Sequence, residues 1–284
     1  WMTSHYKAEG KIEYTVLNFI PSTKPFDLYE PARENRLKLY VKRVFITDNC
    51  PELVPPYLRF IRGVIDSEDL PLNISREMLQ NNPVVAKIRS SLVKRTLSDL
   101  KKKLSKDRKS FETFWLNFGP VIKEGIYEDF EKKESLLEIS LFKNSKSKEL
   151  ISLDEYVEGM GKKQKDIYFM TGDSYENIMN NPSLEGYKSR DINVLILDDP
   201  VDSFWTSSTP LYKEKSFKSV TKGLDDLDSF DSKKEKDNKK ENKSIDPLIV
   251  LLKEQLKDKV KDVRISSRLT DSAVCLVGDD NAMD

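Results

Sequence analysis

The residues whose types and spacing are best suited to chemistry lie in one stretch, Asp66-Ser67-Glu68-Asp69-Leu70-Pro71-Leu72-Asn73-Ile74-Ser75-Arg76-Glu77-Met78-Leu79-Gln80. With Ser75 or Asn73 as N-cap, Arg76 falls in the first turn of a helix. A cation there opposes the helix dipole at a cost of roughly a few tenths of a kcal/mol. A position that penalises a cation suits an anion. The free N–H groups of that turn, the Arg76 guanidinium and the Gln80 amide one turn on can together hold a phosphate. A plainer arrangement uses the same residues: a surface arginine paired with Glu77 or a nearby acid. The residues by themselves leave both readings open.

Other chemistry is poorly supplied. Gly159-Met160-Gly161-Lys162 pairs glycine with lysine but lacks the spacing and the Ser/Thr of a phosphate loop. It reads as an exposed helix end, and the chain is expected to bind no nucleotide alone. One histidine, His5, cannot furnish a His-rich zinc site, and a histidine triad would rest wholly on it. Cys50 and Cys275 lie too far apart in sequence for a metal knuckle, so no metal site is expected. Unpaired cysteines without a secretory leader point to a reducing compartment. The longest strongly apolar run, Leu248 to Leu252, is far short of the ~20 residues that span a bilayer. A soluble chain without a membrane partner is expected.

The 48 basic and 48 acidic residues cancel, which argues against a dedicated nucleic-acid binder. Lys87, Arg89, Lys94, Arg95, Lys101 to Lys103, Lys106, Arg108 and Lys109 nevertheless keep open a nucleic-acid-binding module over residues 87–109. A solvated helix face accounts for the same charges.

Elements must position these residues. Ile12 to Ile20 and Leu37 to Ile46 read as strands, the second from its alternation of Leu37, Leu39 and Val41 with lysines and tyrosine. Pro21, Pro25 and Pro31 mark the loop between them. Tyr57 to Ile65 fits a helix or a strand, and Asp66 to Asp69 with Pro71 are expected to interrupt it. Val85, Ile88, Leu92, Leu97, Leu100 and Leu104 form one stripe of a helix opened by Pro83. A second helix carries Phe111, Phe114, Trp115 and Phe118 and stops before Gly119-Pro120, and a third covers Ile126 to Phe142. Ser152 and Glu155 make a capping box. Strand Ile167 to Met170, helix Ser174 to Asn180, strand Val194 to Leu197 and a helix opened by Asp199-Pro200 then spell a parallel βαβ unit. Residues 222–245 hold 14 charged residues in 24 and read as a mobile linker. Beyond it, Asp246 is the expected N-cap and Pro247 the first turn of a helix, Leu248 to Leu256, followed by strands Val263 to Ile265 and Val274 to Val277.

The expected fold class is therefore α/β (α+β): two α/β modules bridged by a helical layer. The divisions are 1–82, a first module incomplete at its N-terminus; 83–148, the helical layer; 149–221, a smaller α/β module; 222–245, the linker; and 246–284, a truncated α+β C-terminal unit. A hydrophobic share of 38% and a charged share of 34%, against the usual ~45–50% and ~25%, predict small cores under much wet surface. The chain opens on Trp1, which reads as a piece of something longer.

The runs Leu37-Lys38-Leu39-Tyr40-Val41-Lys42-Arg43-Val44-Phe45-Ile46 and Tyr57-Leu58-Arg59-Phe60-Ile61-Arg62-Gly63-Val64-Ile65-Asp66-Ser67-Glu68-Asp69-Leu70-Pro71-Leu72-Asn73-Ile74-Ser75-Arg76-Glu77 resemble the ninety-kilodalton heat-shock (Hsp90) chaperone family, above all its bacterial HtpG branch. The likeness continues through Phe114-Trp115, Lys123-Glu124-Gly125, Asp154, Tyr156, Ile167-Tyr168, Thr171 to Ser174, Val194 to Asp199 and Arg268-Leu269-Thr270-Asp271. It departs at Ala273, where the family usually has proline, and in residues 222–245.

The resemblance implies most of a middle domain, its first module like the ribosomal protein S5 domain 2-like fold, and the start of a C-terminal dimerisation domain. The N-terminal ATPase domain is absent from this stretch. It implies that Arg76, with Gln80 beside it, reaches the γ-phosphate of ATP, carried with Mg by that N-terminal domain in the full-length protein, and that this segment binds no cofactor alone. Client binding is implied at exposed apolar surface, for which Phe26, Phe204 and Trp205 are the candidates, Trp205 expected to be exposed. The implied partners are unfolded proteins, the N-terminal ATPase domain and, for the full-length protein, a second copy. The segment alone is expected to be monomeric, cytoplasmic and without ATPase activity. A degraded gene product without function is the remaining alternative.

Overall fold

Leu37, Leu39 and Val41 alternate with Arg36, Lys38 and Tyr40, a pattern that gives a strand one wet face and one buried face. The structure, a computed structural model, describes residues 1–30, 36–74, 76–209, 211–222, 227–230, 238–266 and 268–278, with backbone alone for Arg76, Asp228, Ser229 and 238–246. Two compact units result, one of residues 1–141 and 207–209, the other of 142–206 and 210–284.

The first unit is built on a five-stranded sheet. Its strands are β1 (Met2–Ala8), β2 (Tyr14–Ile20), β3 (Arg36–Val41), β4 (Val44–Thr47) and β5 (Arg62–Ser67), in the order β1-β2-β5-β3-β4. β3 and β5 run parallel; the other pairs are antiparallel. The single strand expected over Leu37–Ile46 is instead a hairpin. Lys42 and Arg43 turn it with φ of 50° and 66°, the left-handed pair that a two-residue hairpin needs. Backbone bonds of Lys42 N–H to the Ser67 carbonyl (3.0 Å) and of Arg43 N–H to Asp66 Oδ1 (3.1 Å) hold this conformation without glycine. β5 also runs through Asp66 to Ser67, past the acid expected to break it. Its partner β2 comes so close at Gly63 (φ +151°) that a Cβ there would stand 2.1 Å from the Leu17 carbonyl oxygen.

Four helices follow: α1 (Arg76–Leu79), α2 (Pro83–Lys106), α3 (Arg108–Glu128) and α4 (Lys133–Ile139). The Asn82 side chain accepts from Val84 N–H at 2.9 Å and opens α2. α3 does not stop at Gly119-Pro120 as expected. Proline removes the bond to the Leu116 carbonyl, a loss of about 3 kcal/mol or more, but Phe114, Trp115, Phe118, Val121 and Ile122 are buried around it. Burying each such side chain contributes roughly 1.5–3 kcal/mol, which outweighs the break. Phe60, Phe111, Phe114 and Phe118 form an aromatic layer, and Trp1 stacks on Phe114 with ring centroids 4.2 Å apart. The expected third helix, Ile126 to Phe142, resolves into the end of α3, then α4, then the start of a strand at Leu141.

The second unit holds β6 (Leu141–Asn144), β7 (Ile151–Ser152), α5 (Leu153–Glu158), β8 (Ile167–Thr171), α6 (Tyr175–Met179), α7 (Glu185–Ser189), β9 (Leu195–Leu197), α8 (Asp202–Ser208), β10 (Leu211–Tyr212), β11 (Lys215–Ser219) and α9 (Asn238–Leu256). Its sheet order is β10-β11-β8-β9-β6-β7, with β8 parallel to both neighbours as the βαβ pattern requires. Ser152 and Glu155 form the expected capping box. The Tyr156 hydroxyl donates to the Asn193 carbonyl (2.7 Å) and accepts from Gln164 Nε2 and Tyr168 N–H, both at 3.0 Å.

Three expectations fail here. Leu227, placed in a linker, is fully buried in a core with Tyr168, Met170, Tyr187, Ile196 and Val220. α9 begins at Asn238, so Asp246 is no N-cap and Pro247 sits inside the helix; Lys and Glu, good helix formers, extend it backwards. Residues 223–226 and 231–237 of that expected linker lie outside the described residues. Val263 to Ile265 and Val274 to Val277 form no strands, since among the described residues no neighbouring strand offers them a ladder; a bridge joins Lys222 to Gly278.

Candidate functional site

The stretch from Glu68 to Asn82 is a loop pinned at its base. Glu13 N–H donates to Asp69 Oδ2 at 2.6 Å, Glu68 N–H to the Glu13 carbonyl at 3.0 Å, and Leu70 N–H to the Ser67 hydroxyl at 3.3 Å. Leu70, Ile74 and Leu79 are buried anchors. Between Ile74 and Leu79 the chain makes the single turn α1, and Arg76 begins it. Glu77 and Gln80 are exposed, so this turn faces water. Ser75, the expected N-cap, lies outside the described residues, as does the Arg76 side chain; Asn73 is in an exposed turn.

Phe26 is 97% exposed, on the proline-rich loop after β2. The residues just after it are held in place. Leu28 beside it is fully buried, and the Arg59 guanidinium donates to the Leu28 carbonyl at 2.8 Å. Arg59 also forks onto both carboxylate oxygens of Glu124 and lies over the Tyr29 ring, 5.5 Å from its centroid. One position after Glu124 in α3, Gly125 lets the Tyr57 ring approach; a Cβ there would stand 2.6 Å from the ring. Tyr57 donates to Asp129 at 2.7 Å, and burial with that bond pushes its hydroxyl pKa well up. Sequence reasoning missed this Arg59–Glu124 clamp. Its only signal was that Tyr57-Leu58-Arg59 and Lys123-Glu124-Gly125 both belonged to the resembling stretches.

Phe204 and Trp205 stand on α8. Phe204 is 60% exposed, whereas Trp205, expected to be exposed, is fully buried. Its indole N–H donates to Asp202 Oδ1 at 2.6 Å, and its ring meets Phe142 and Phe217 at 5.7 and 5.5 Å. The neighbouring Thr and Ser residues suggested a wet site, but the helix turns successive side chains by about 100° and sends Trp205 to the inner side. A buried carboxylate, Asp202, satisfies the indole. Arg76, Gln80 and Phe26 thus belong to the first unit, and Phe204 and Trp205 to the second.

Five of the basic residues of α2 and α3 pair with acids: Arg95 and Lys102 with Asp99, Lys101 with Glu138, Lys103 with Asp107 and Arg108 with Glu112. His5 is exposed on β1. Cys50 is buried, and burial followed by Glu52 pushes its thiol up to about 12, while Cys275 is half-buried. Among the described residues no helix is long and apolar enough to cross a membrane.

Comparison with known proteins follows the same outline. The chain is 50% identical to the chaperone protein HtpG of Paramagnetospirillum magneticum and 47% identical to that of Rhodospirillum rubrum, each match covering all of this chain and 46% of the relative. It spans about half the length of the curated relatives it matches. The structure is similar to the middle domain of a Plasmodium falciparum heat shock protein, with a TM-score of 0.69 and 30% identity over 78% of this chain and 88% of that one. The family profile described as Hsp90 protein matches residues 1–283, and the chain belongs to that family.

Proposed function

We propose that this chain is the central segment of an ATP-dependent molecular chaperone, which binds unfolded or partly folded proteins and lends Arg76 to ATP held by a nucleotide domain elsewhere in the same protein. The observation that carries the reading is the family match along residues 1–283. In it Arg76, with Gln80 beside it, neutralises and orients the γ-phosphate; ATP, bound with Mg by the other domain, supplies the phosphoryl group. The pinned loop supports this role, because a cation useful to a phosphate must be presented on water-facing backbone that does not wander.

Phe26 and Phe204 are the proposed client contacts. An aromatic ring on an anchored loop offers contact area at low entropic cost, and Phe26 has Leu28 and Arg59 to anchor it. Trp205 serves that surface from beneath, by fixing α8. In the full-length protein the segment works within a cytoplasmic homodimer, whereas alone it is monomeric and without ATPase activity.

Two measurements test the reading. Light scattering of a denatured client is expected to fall in the presence of excess chain and to fall less with Phe26→Ser; no suppression at excess chain rejects the client role. In the longer protein that includes the nucleotide domain, Arg76→Ala is expected to lower ATP turnover on the order of 10³-fold with the fold intact. Unchanged turnover rejects the role of Arg76.

A further inference from the structure

Glu185 opens α7 and reaches a distant part of the chain. Its carboxylate accepts from the backbone N–H groups of Thr270, Asp271 and Ser272 at 2.9, 3.0 and 3.1 Å, and from the Ser272 hydroxyl. Successive backbone amides converging on one point form an anion-holding concavity. Here this chain's own side chain fills it. The Ser272 hydroxyl and the three N–H groups hold the Glu185 carboxyl far below the usual range, at about 2, so it is an anion.

The neighbouring contacts are as specific. At Gly186 a Cβ would stand 2.7 Å from the Arg268 backbone, so the close approach requires glycine. Arg268, 4% exposed, donates to the carbonyls of Val220 and Lys222, each at 3.0 Å. Gly278 N–H donates to the Thr221 carbonyl at 2.8 Å. Apolar burial contributes little, since Val274 and Leu276 are 72% and 83% exposed. The seat of residues 268–278 therefore rests on directional polar bonds, and most of those at its N-terminal end share one carboxylate.

We propose that Glu185 is a latch: it holds the Arg268–Gly278 segment on α7 and the end of β11, and its release frees that segment while the second sheet stays folded. This assigns a purpose to Arg268-Leu269-Thr270-Asp271, which neither nucleotide chemistry nor client contact uses.

Hydrogen exchange on the full chain tests it. The three N–H groups share Oε2 and the Ser272 hydroxyl takes Oε1, so Glu185→Gln keeps the size but removes the charge and sets an NH₂ against either the N–H groups or that hydroxyl. Exchange at Thr270, Asp271 and Ser272 is expected to quicken on the order of tenfold or more, with β8 and β9 unchanged. Gly186→Ala, which pushes the segment away by a different route, is expected to give the same pattern. Unchanged exchange at 270–272 in Glu185→Gln overturns the latch. Equal quickening in β8 and β9 overturns it too, because Glu185 would then support the whole unit rather than one segment.

Discussion

In the first unit β3 buries Leu37, Leu39 and Val41 and leaves Arg36 and Lys38 in water, whereas in the second β8 buries four successive residues, Ile167 to Met170, and β9 buries all three of its own. The first sheet has one wet face, so its weak points are places where backbones must meet, as at Gly63. The central strands of the second are covered on both faces, so its weak points are large side chains, as at Trp205. The same family segment thus contains a unit sensitive to backbone geometry and a unit sensitive to packing.

The largest effect is expected at Gly63. In Gly63→Val a side chain would meet the Leu17 carbonyl oxygen, and the first unit should fail to form its β2–β5 pair. Cys50 reports on this, because its thiol is buried in the first unit and held protonated. Rapid labelling of Cys50 by a thiol reagent in the variant is the expected result. Continued protection would break the contrast by showing that the first sheet tolerates backbone intrusion.

Trp205→Ala should cost about 3–5 kcal/mol of second-unit stability, the range for removing a buried aromatic, measured by denaturant unfolding. Cys50 should stay protected at denaturant concentrations that melt the second unit. A loss below about 1 kcal/mol would mean that the site collapses to fill the space, and the packing-sensitive description would fail. Smaller and equal losses are expected at the two caps: Asn82→Ala in the first unit and Ser152→Ala in the second, about 1 kcal/mol each. A clear inequality would sharpen the comparison by showing that one unit leans harder on helix ends. The smallest effect, below about 1 kcal/mol, is expected for Lys101→Ala, which removes a surface ion pair with Glu138.

Alternation at Leu37, Leu39 and Val41, the α2 stripe and the Ser152–Glu155 box were legible because each depends on neighbours within a few positions. The Lys42–Arg43 hairpin was not, since the bonds that hold it come from Asp66 and Ser67. The passage of α3 through Pro120 depended on burial around the whole helix, and the burial of Trp205 on Asp202, Phe142 and Phe217. Strands at Val263 and Val274 were read from β-branched residues, but a strand needs a partner edge that composition does not supply. Of the candidate site, the exposed turn at Gln80 and the exposure of Phe26 could be anticipated; the Arg59–Glu124 clamp behind Phe26 spans 65 positions and could not.

The Tyr156 hydroxyl carries one further consequence. A strand apolar on every side, such as β8, slides past its neighbours by two residues with little change in what it buries, so hydrophobicity alone specifies its register weakly. Tyr156 has one proton and spends it on Asn193, leaving its lone pairs for Gln164 and for the N–H of Tyr168 in β8. A slip of β8 would bring another residue's N–H to this phenol but would carry the Gln164 side chain, tied to Asp166 just before the strand, out of its reach. A single oxygen thereby acts as the index mark against which the second sheet is aligned.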